Sequence, residues 1–532
     1  MSAHGSRQAR IAFRRSTAGM AAGTLLSRVT GFGRVFALAY ALAFTRFSDA
    51  YNLANTTPNI VYELVLGGIL SATLVPVFVD RLATDDEEDA WTAISAVVTA
   101  SVAVLVAITV AFFLAAPWLI RIYTLRLHGT SARDQQAVAT ALLRMFAPQV
   151  LFYGLIALAT ALLNARRRFA APMTTPVLNN LLVIGVLLLL PHVTLDLSLH
   201  AMRRATGPLV LLGLGTTAGV ALQAVALWPS LRGARLRLRM VWQPAHDAVR
   251  TVLRLSGWTF GYVVTNQVAL WVILVLANAR AGDVSAYQAA YLFFLLPHSV
   301  FAVSIMTALL PDLSERWSVG DVAGYRERLS FGLRVTALVV LPAAAGLVVL
   351  ARPIVKLVLL HGALSAHSAR TTGDVLALMS IGLPAFSAYL LLMRAYQAML
   401  TARALFVTYC IENGLNVVLG LVLYPIMGVR GLALALALAY VGGTFVAGWD
   451  IRRRIGGLDG RVLGRSLVRM SAATAVMAGG VALVAGRVGA GSGGGLVVRV
   501  GLAVGVGVAL YGALARLSGV PELRAIVRRR TP

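Results

Sequence analysis

The residues best suited to chemistry are two arginines in the first apolar stretch, Thr24-Leu-Leu-Ser-Arg-Val-Thr-Gly-Phe-Gly-Arg34. A guanidinium inside an apolar helix is costly unless it meets water or an anion. In a regular helix Arg28 and Arg34 would sit about 9 Å apart along the axis and some 120° apart around it. Gly31 and Gly33 between them weaken the helix and would let it bend, bringing both side chains toward one cavity. Paired arginines on a cavity wall suit a phosphate or pyrophosphate, through bidentate hydrogen bonds that lysine cannot copy. The competing reading has one or both arginines snorkel to an interface or satisfy carbonyls of neighbouring helices.

A second polar run follows, Ser48-Asp-Ala-Tyr-Asn-Leu-Ala-Asn-Thr-Thr-Pro-Asn59, leading to Tyr62, Glu63, Gly67 and Gly68. Asp49 lies near the outer end of this run. Asn52, Asn55 and Asn59 recur at helical spacing and form one stripe, which either lines a water-filled cavity or stitches helices together. Glu63 is an acid about one turn into an apolar span. It is either a group that pairs with Arg28 or Arg34 and titrates during transport, or half of a structural ion pair. Arg144, Arg254, Asp374, Arg394 and Glu412 are the other ionisable residues in apolar surroundings, and Arg394 and Glu412 with Asn413 and Asn416 offer a polar or cation site in the second half. The acidic run Asp85-Asp86-Glu87-Glu88-Asp89 has no neighbouring His or nucleophile and reads as a solvated linker. The chain carries no P-loop, GxSxG, HExxH or CxxC motif, so a transporter is expected rather than an enzyme, with neither metal nor cofactor.

The elements that must position these residues are membrane helices. Of 532 residues, 58% are hydrophobic and 13% charged, well below the roughly 25% charged of a soluble domain. Apolar stretches of about 20 residues recur along the chain, each long enough to cross a bilayer, and the alternating strands of an outer-membrane barrel are absent. The fold class is therefore an all-α polytopic membrane protein with about 14 transmembrane helices. The approximate spans are 17–44, 58–80, 91–119, 136–163, 172–192, 207–229, 252–277, 284–311, 330–351, 371–399, 403–426, 428–449, 463–486 and 495–516. The join at 423–432 is tight, with Pro425 and Gly428. The first span is expected to remain as a helix, because no signal-peptide cleavage site follows it.

A net charge of +26 raises nucleic acid as a partner, but the basic residues are spread over short loops and helix ends, with no basic domain to hold a duplex. Nearly all are Arg. The clusters Arg7/Arg10/Arg14/Arg15, Arg166–Arg168, Arg232/Arg235/Arg237/Arg239, Arg326/Arg328, Arg452–Arg454 and Arg524/Arg528–Arg530 fall on one side. That side is read as the cytoplasm, with both termini there. On the opposite side Arg121/Arg126/Arg133 is the densest exception. The single Cys410 rules out a disulfide framework.

The chain also repeats itself. Tyr51 recurs as Tyr287, Pro76 as Pro311, Pro117 as Pro353, Pro148 as Pro384 and Tyr153 as Tyr389. Ala161-Leu-Leu-Asn-Ala-Arg166 reappears as Ala398-Met-Leu-Thr-Ala-Arg403, followed by Phe169/Phe406 and Asn179/Asn416. Each pair is separated by about 236 residues, an offset that chance apolar similarity would not sustain. Two six-helix pseudo-repeats are expected, 1–240 and 241–455, with two further C-terminal helices in 456–532. An even number of helices gives both halves one orientation, an arrangement of secondary transporters whose substrate site lies between the halves.

Together these motifs resemble the MurJ/MviN family of lipid II flippases in the MOP exporter superfamily. The resemblance rests on Leu26-Ser-Arg-Val-Thr-Gly-Phe-Gly-Arg34, Asp49-Ala-Tyr51, Pro58-Asn59 and Leu74-Val-Pro-Val-Phe78. It continues in Leu163-Asn-Ala-Arg166, Phe169-Ala-Ala-Pro172, Pro176-Val-Leu-Asn179, Leu296-Pro297, Thr307-Ala-Leu-Leu-Pro311 and Leu341-Pro342, and covers roughly residues 17–450. Val35, Tyr62 and Glu63 depart from the family pattern, in which an acid and basic residues are common at those places, and look similar to the actinobacterial branch. The resemblance implies two lobes in a bacterial plasma membrane and alternating access that carries an undecaprenyl-pyrophosphate-linked peptidoglycan precursor outward. It implies that Arg28 and Arg34 contact the pyrophosphate, while Asp49, Asn55 and Glu63 line or gate the cavity. The partners implied are lipid II, the surrounding membrane lipids and cell-wall synthesis proteins. The alternatives are a flippase of another polyprenyl-linked glycan, a drug exporter of the same superfamily, a membrane glycosyltransferase, and a non-transporting cell-wall scaffold.

Overall fold

The computed structural model describes residues 3–64, 74–84, 86–166, 168–194, 196–234, 236–255, 257–488 and 493–523; for 3–22, 84, 253–255, 258 and 259 it describes the backbone alone. Gly67, Gly68, Asp85, Arg167, Arg235, Arg524 and Arg528–Arg530 lie outside the described residues, as do the side chains of Arg7, Arg10, Arg14, Arg15 and Arg254. The described residues contain no β-strand. Helices cluster into two compact units, Met1–Gln267 and Val268–Pro532.

Unit 1 opens with α1 (Ala3–Leu42), α2 (Arg46–Tyr62), α3 (Val75–Thr84) and α4 (Glu87–Tyr123). Then come α5 (Gly129–Phe146), α6 (Pro148–Ala165), α7 (Ala170–Thr174), α8 (Pro176–Val193) and α9 (Leu199–Arg204). It continues through α10 (Thr206–Ala226), α11 (Trp228–Gly233) and α12 (Asp247–Leu255), and the two units divide within α13 (Gly257–Ala277). Inside unit 1, α1 packs along α8, α10 against α8 and α5, and α2 against α5.

Unit 2 contains α14 (Asp283–Pro297), which passes through one π-helical turn at His298–Ala302 into α15 (Val303–Ser318). It continues with α16 (Val322–Leu359), α17 (Ala366–Ile381), α18 (Leu383–Ala398), α19 (Ala402–Met427) and α20 (Val429–Arg454). The last two helices are α21 (Gly460–Arg487) and α22 (Gly494–Leu517). Within this unit α16 packs on α17 and α21, α19 on α20, and α21 on α22.

Among the described residues, 12 helical segments are long and apolar enough to cross a membrane, or 13 when α17 and α18, bent by 50°, count as one span. Each corresponds to one of the fourteen stretches read from the sequence. The remaining stretch, 58–80, runs through 65–73, which are not described. The tight join also stands: α19 ends at Met427, and Gly428 turns the chain into α20 with φ +63° and ψ −141°, a region essentially closed to residues with a Cβ.

The acidic run takes a more definite place than a linker. Asp86 stands at the N-cap position of α4, and Glu87, Glu88 and Asp89 fill its first turn, where carboxylates complement the positive end of the helix dipole. Glu87 and Glu88 face Arg237 and Arg239 at 3.5 and 3.4 Å. The extended segment carrying those arginines is tied to α4, since the Arg239 and Val241 amides donate to Ser95 Oγ and Thr99 Oγ1 at 3.1 and 3.2 Å.

Candidate functional site

α1 runs unbroken through Gly31 and Gly33, so the helix is not interrupted where the glycines weaken it. Both glycines face α8. Asn180 of α8 clamps this stretch, its amide nitrogen donating to the Ser27 carbonyl and Thr30 Oγ1 at 3.2 and 3.1 Å. Arg28 is exposed and Arg34 is half-buried. Neither forms an ion pair with Glu63.

α2 is set by its first turn. Thr45 and Ser48 form a reciprocal capping box, which satisfies two amide groups that the helix itself leaves unpaired. Asp49 follows in that first turn and is 0% exposed, packed with the element rather than open to solvent. Further along, Tyr51 is fixed by Thr216 of α10, their hydroxyl oxygens 3.2 Å apart, and by the edge of Phe146 at 5.8 Å. The polar stripe then divides. Asn52 is buried, while Asn55 and Asn59 are half-buried. The Asn59 amide donates to the Asn55 backbone carbonyl at 3.5 Å, and the enclosed Oδ1 of Asn55 accepts no hydrogen bond.

Around Arg34 the structure assembles a cluster from three helices. Tyr153 of α6 lies beside Asn59 and within electrostatic reach of Arg34. Its ring meets that of Tyr62 at 5.6 Å, and Glu63, half-buried, adjoins Tyr62. A guanidinium, two phenols and two carboxamides within one neighbourhood offer several donors, the chemistry that holds a phosphate or a sugar hydroxyl. Of the five residues expected at the site, Arg34, Asn55 and Glu63 fall in or beside this cluster. Arg28 stands on an exposed face and Asp49 is enclosed in the first turn of α2. Tyr153 was not singled out for chemistry by the sequence reading. Its signal was the repeat that pairs it with Tyr389.

Unit 2 carries a different cluster. Glu412 of α19 is 2% exposed, among Tyr287, Tyr291, Tyr389 and Tyr440, all within its electrostatic reach. Tyr389 meets Tyr409 and Tyr440 edge-on at 5.7 and 5.6 Å. Gly443 admits the acid, since a Cβ there would lie 3.0 Å from Glu412 Cβ. Arg394 does not join it: that side chain is exposed and donates to Gln397 at 2.8 Å. Asp374 is held between Arg352 and Arg430 at 2.5 and 2.7 Å.

Comparison with known proteins places this architecture. A solved lipid II flippase MurJ in an inward closed conformation superposes with a TM-score of 0.75 at 19% identity, over 93% of this chain and 98% of that one. An inward-facing multidrug resistance MATE transporter of the MOP superfamily follows at 0.66 and 13%, over 80% and 94%. The chain shares the multi-pass α-helical fold of these two proteins. The family model described as lipid II flippase MurJ matches residues 38–500, and the chain belongs to that family. It is 27% identical to a probable lipid II flippase MurJ of Rhizobium meliloti (strain 1021) over 80% of this chain and 76% of that protein. It is 24% identical to a probable lipid II flippase MurJ of Thermotoga maritima over 97% and 98%. The family match begins just beyond Arg34.

Proposed function

We propose that this chain flips lipid II, the undecaprenyl-pyrophosphate-linked peptidoglycan precursor, from the cytoplasmic to the outer leaflet of the bacterial inner membrane by alternating access. Arg34 takes the pyrophosphate, with Tyr153 and Asn59 as further donors. Arg28 provides a second guanidinium at the exposed approach. Asn55, one turn before Asn59 on the same stripe, lines the approach, and Glu63 gates access to the arginine. Asp49 orders the start of α2. Residues 1–240 and 241–455 act as the two repeats, and 456–532 adds two helices. Both termini face the cytoplasm, and cell-wall synthesis proteins are the expected protein partners.

The observation that carries this reading is Arg34, a half-buried cation within electrostatic reach of Tyr153 and with no carboxylate among the described residues paired to it. A drug-exporting cavity favours acids and aromatics instead. The test is outer-leaflet lipid II exposure in cells depleted of their own flippase and supplied with this chain, read by an externally added lipid II-cleaving enzyme. Restored cleavage that disappears in Arg34→Ala supports cargo and site together. Restored cleavage that survives the substitution keeps the flippase and removes the site. Absence of cleavage, with the protein present in the membrane, turns the reading to another polyprenyl-linked glycan or to a non-transporting scaffold.

A further inference from the structure

The arginines near 120–135 run against the charge distribution of the other loops, and the transport reading leaves them unused. In unit 1, Arg121, Arg133, Arg144, Arg203, His200 and Asp134 line one cavity of about 700 Å³ where α4, α5 and α9 meet. Four arginines against one aspartate leave this group a net charge of +3 with His200 neutral. Asp134 is already engaged, by Arg203 at 2.9 Å and His200 at 3.7 Å. No carboxylate among the described residues pairs with Arg121, Arg133 or Arg144. Clustered like charges on a folded surface are unfavourable unless an anion joins them.

The neighbourhood of the cavity limits what that anion is. The Arg121 and Arg144 guanidinium groups lie 5.2 and 5.5 Å from the ring centroids of Trp118 and Phe113. Both rings are on α4 and exposed, together with Val110 and Leu114 of the same helix. A basic cavity therefore stands at the end of an apolar, uncovered helix face. A free inorganic anion would use the cations and leave that face untouched, whereas a lipid uses both, its headgroup in the cavity and its chains along α4. We infer that this cavity binds the phosphate headgroup of an anionic membrane lipid. The site shares no residue with the Arg34 cluster. Two lipids offer the same chemistry there, a glycerophospholipid with two phosphates and a polyprenyl diphosphate.

The test is native mass spectrometry of the purified full-length protein, titrated separately with cardiolipin, undecaprenyl diphosphate, phosphatidylcholine and inorganic pyrophosphate. An Arg34→Ala background keeps the transport site out of the polyprenyl arm. Cardiolipin or undecaprenyl diphosphate should bind, and affinity should fall about tenfold for each arginine removed in Arg121→Gln and Arg144→Gln. The control Arg453→Gln, an arginine stacked on Trp449 in unit 2, should bind as wild type. Preference for cardiolipin identifies a phospholipid as the occupant, and preference for undecaprenyl diphosphate identifies the polyprenyl lipid. Asp134→Asn raises the net charge by one and should tighten binding several-fold, a readout that remains if the arginine variants do not fold. Equal binding of phosphatidylcholine or pyrophosphate, or affinity unchanged in both arginine variants, would overturn the inference.

Discussion

Tyr153 and Tyr389 occupy matching places, each five residues after the proline that opens α6 or α18, and their surroundings differ. Tyr153 lies beside Asn59 within electrostatic reach of a half-buried arginine. Tyr389 is fully enclosed by other rings beside Glu412, and its hydroxyl has no hydrogen-bond partner. Unit 1 thus sets a half-buried cation near neutral donors, whereas unit 2 seals an acid among aromatics. The prolines and packing tyrosines recur at matching places in the two units, and a proline at a helix start sets backbone shape. The ionisable residues around them are free to diverge, and that divergence gives two similar scaffolds opposite chemistry.

The sharpest way to break this comparison is at the charges. Arg34→Ala should lower outer-leaflet lipid II exposure by at least about tenfold, the loss of one charge-assisted contact. Arg394→Ala in unit 2 should leave exposure near wild type, because that arginine is exposed and bound only to Gln397. The external cleavage assay distinguishes the two, and equal losses would dissolve the contrast.

Ion pairs supply the next largest difference. Glu522 is 1% exposed and accepts from Arg334 at 2.7 Å and Ser466 at 3.2 Å. Glu522→Ala would leave Arg334 unpaired in an enclosed site, with an expected cost of about 3 kcal/mol, visible as a clear drop in the thermal unfolding midpoint. Glu87→Ala removes an exposed pair with Arg237 in unit 1 and should move the midpoint little.

The helix breaks sharpen it further. Unit 1 breaks between α5 and α6 at Ala147, but the corresponding break in unit 2 holds Gly382, where a Cβ would lie 2.5 Å from the Cα of Ala437. Gly382→Ala must therefore displace backbone, at an expected cost of about 2 kcal/mol, measured by the same melt. Smallest is the tyrosine pair itself. Tyr153→Phe removes a hydroxyl within electrostatic reach of Arg34 and should lower lipid II exposure modestly in the cleavage assay, whereas Tyr389→Phe removes an unpaired hydroxyl and should leave exposure and the melt near wild type.

Much of the architecture was legible in the chain, because lipid leaves a spanning segment little choice. A run of about 20 apolar residues must satisfy its own backbone, and only a helix does so locally. Hence α4, α8, α10, α19, α20, α21 and α22 all follow stretches read from composition, and Pro425-Ile-Met-Gly428 announced its own turn. Arg34, Asn55 and Glu63 were visible as candidates for the same reason, since a polar group at membrane depth is conspicuous. The role given to Gly31 and Gly33 was not decided by residue type: glycine permits a bend, but α1 continues through them against α8. Nor did the acidic run reveal that it begins α4, because the same carboxylates suit a solvated loop and a helix N-terminus.

The sequence by itself determined the helical membrane class and which polar residues must be accommodated, since these depend on composition, periodicity and the cost of leaving a backbone group unpaired in lipid. Tertiary structure alone decided which of those residues meet. Arg34 and Tyr153 are 119 positions apart, and Arg121 and Arg203 are 82 apart. Their partnership depends on which helix faces pack together, a property of side-chain interlocking that no single helix's pattern contains.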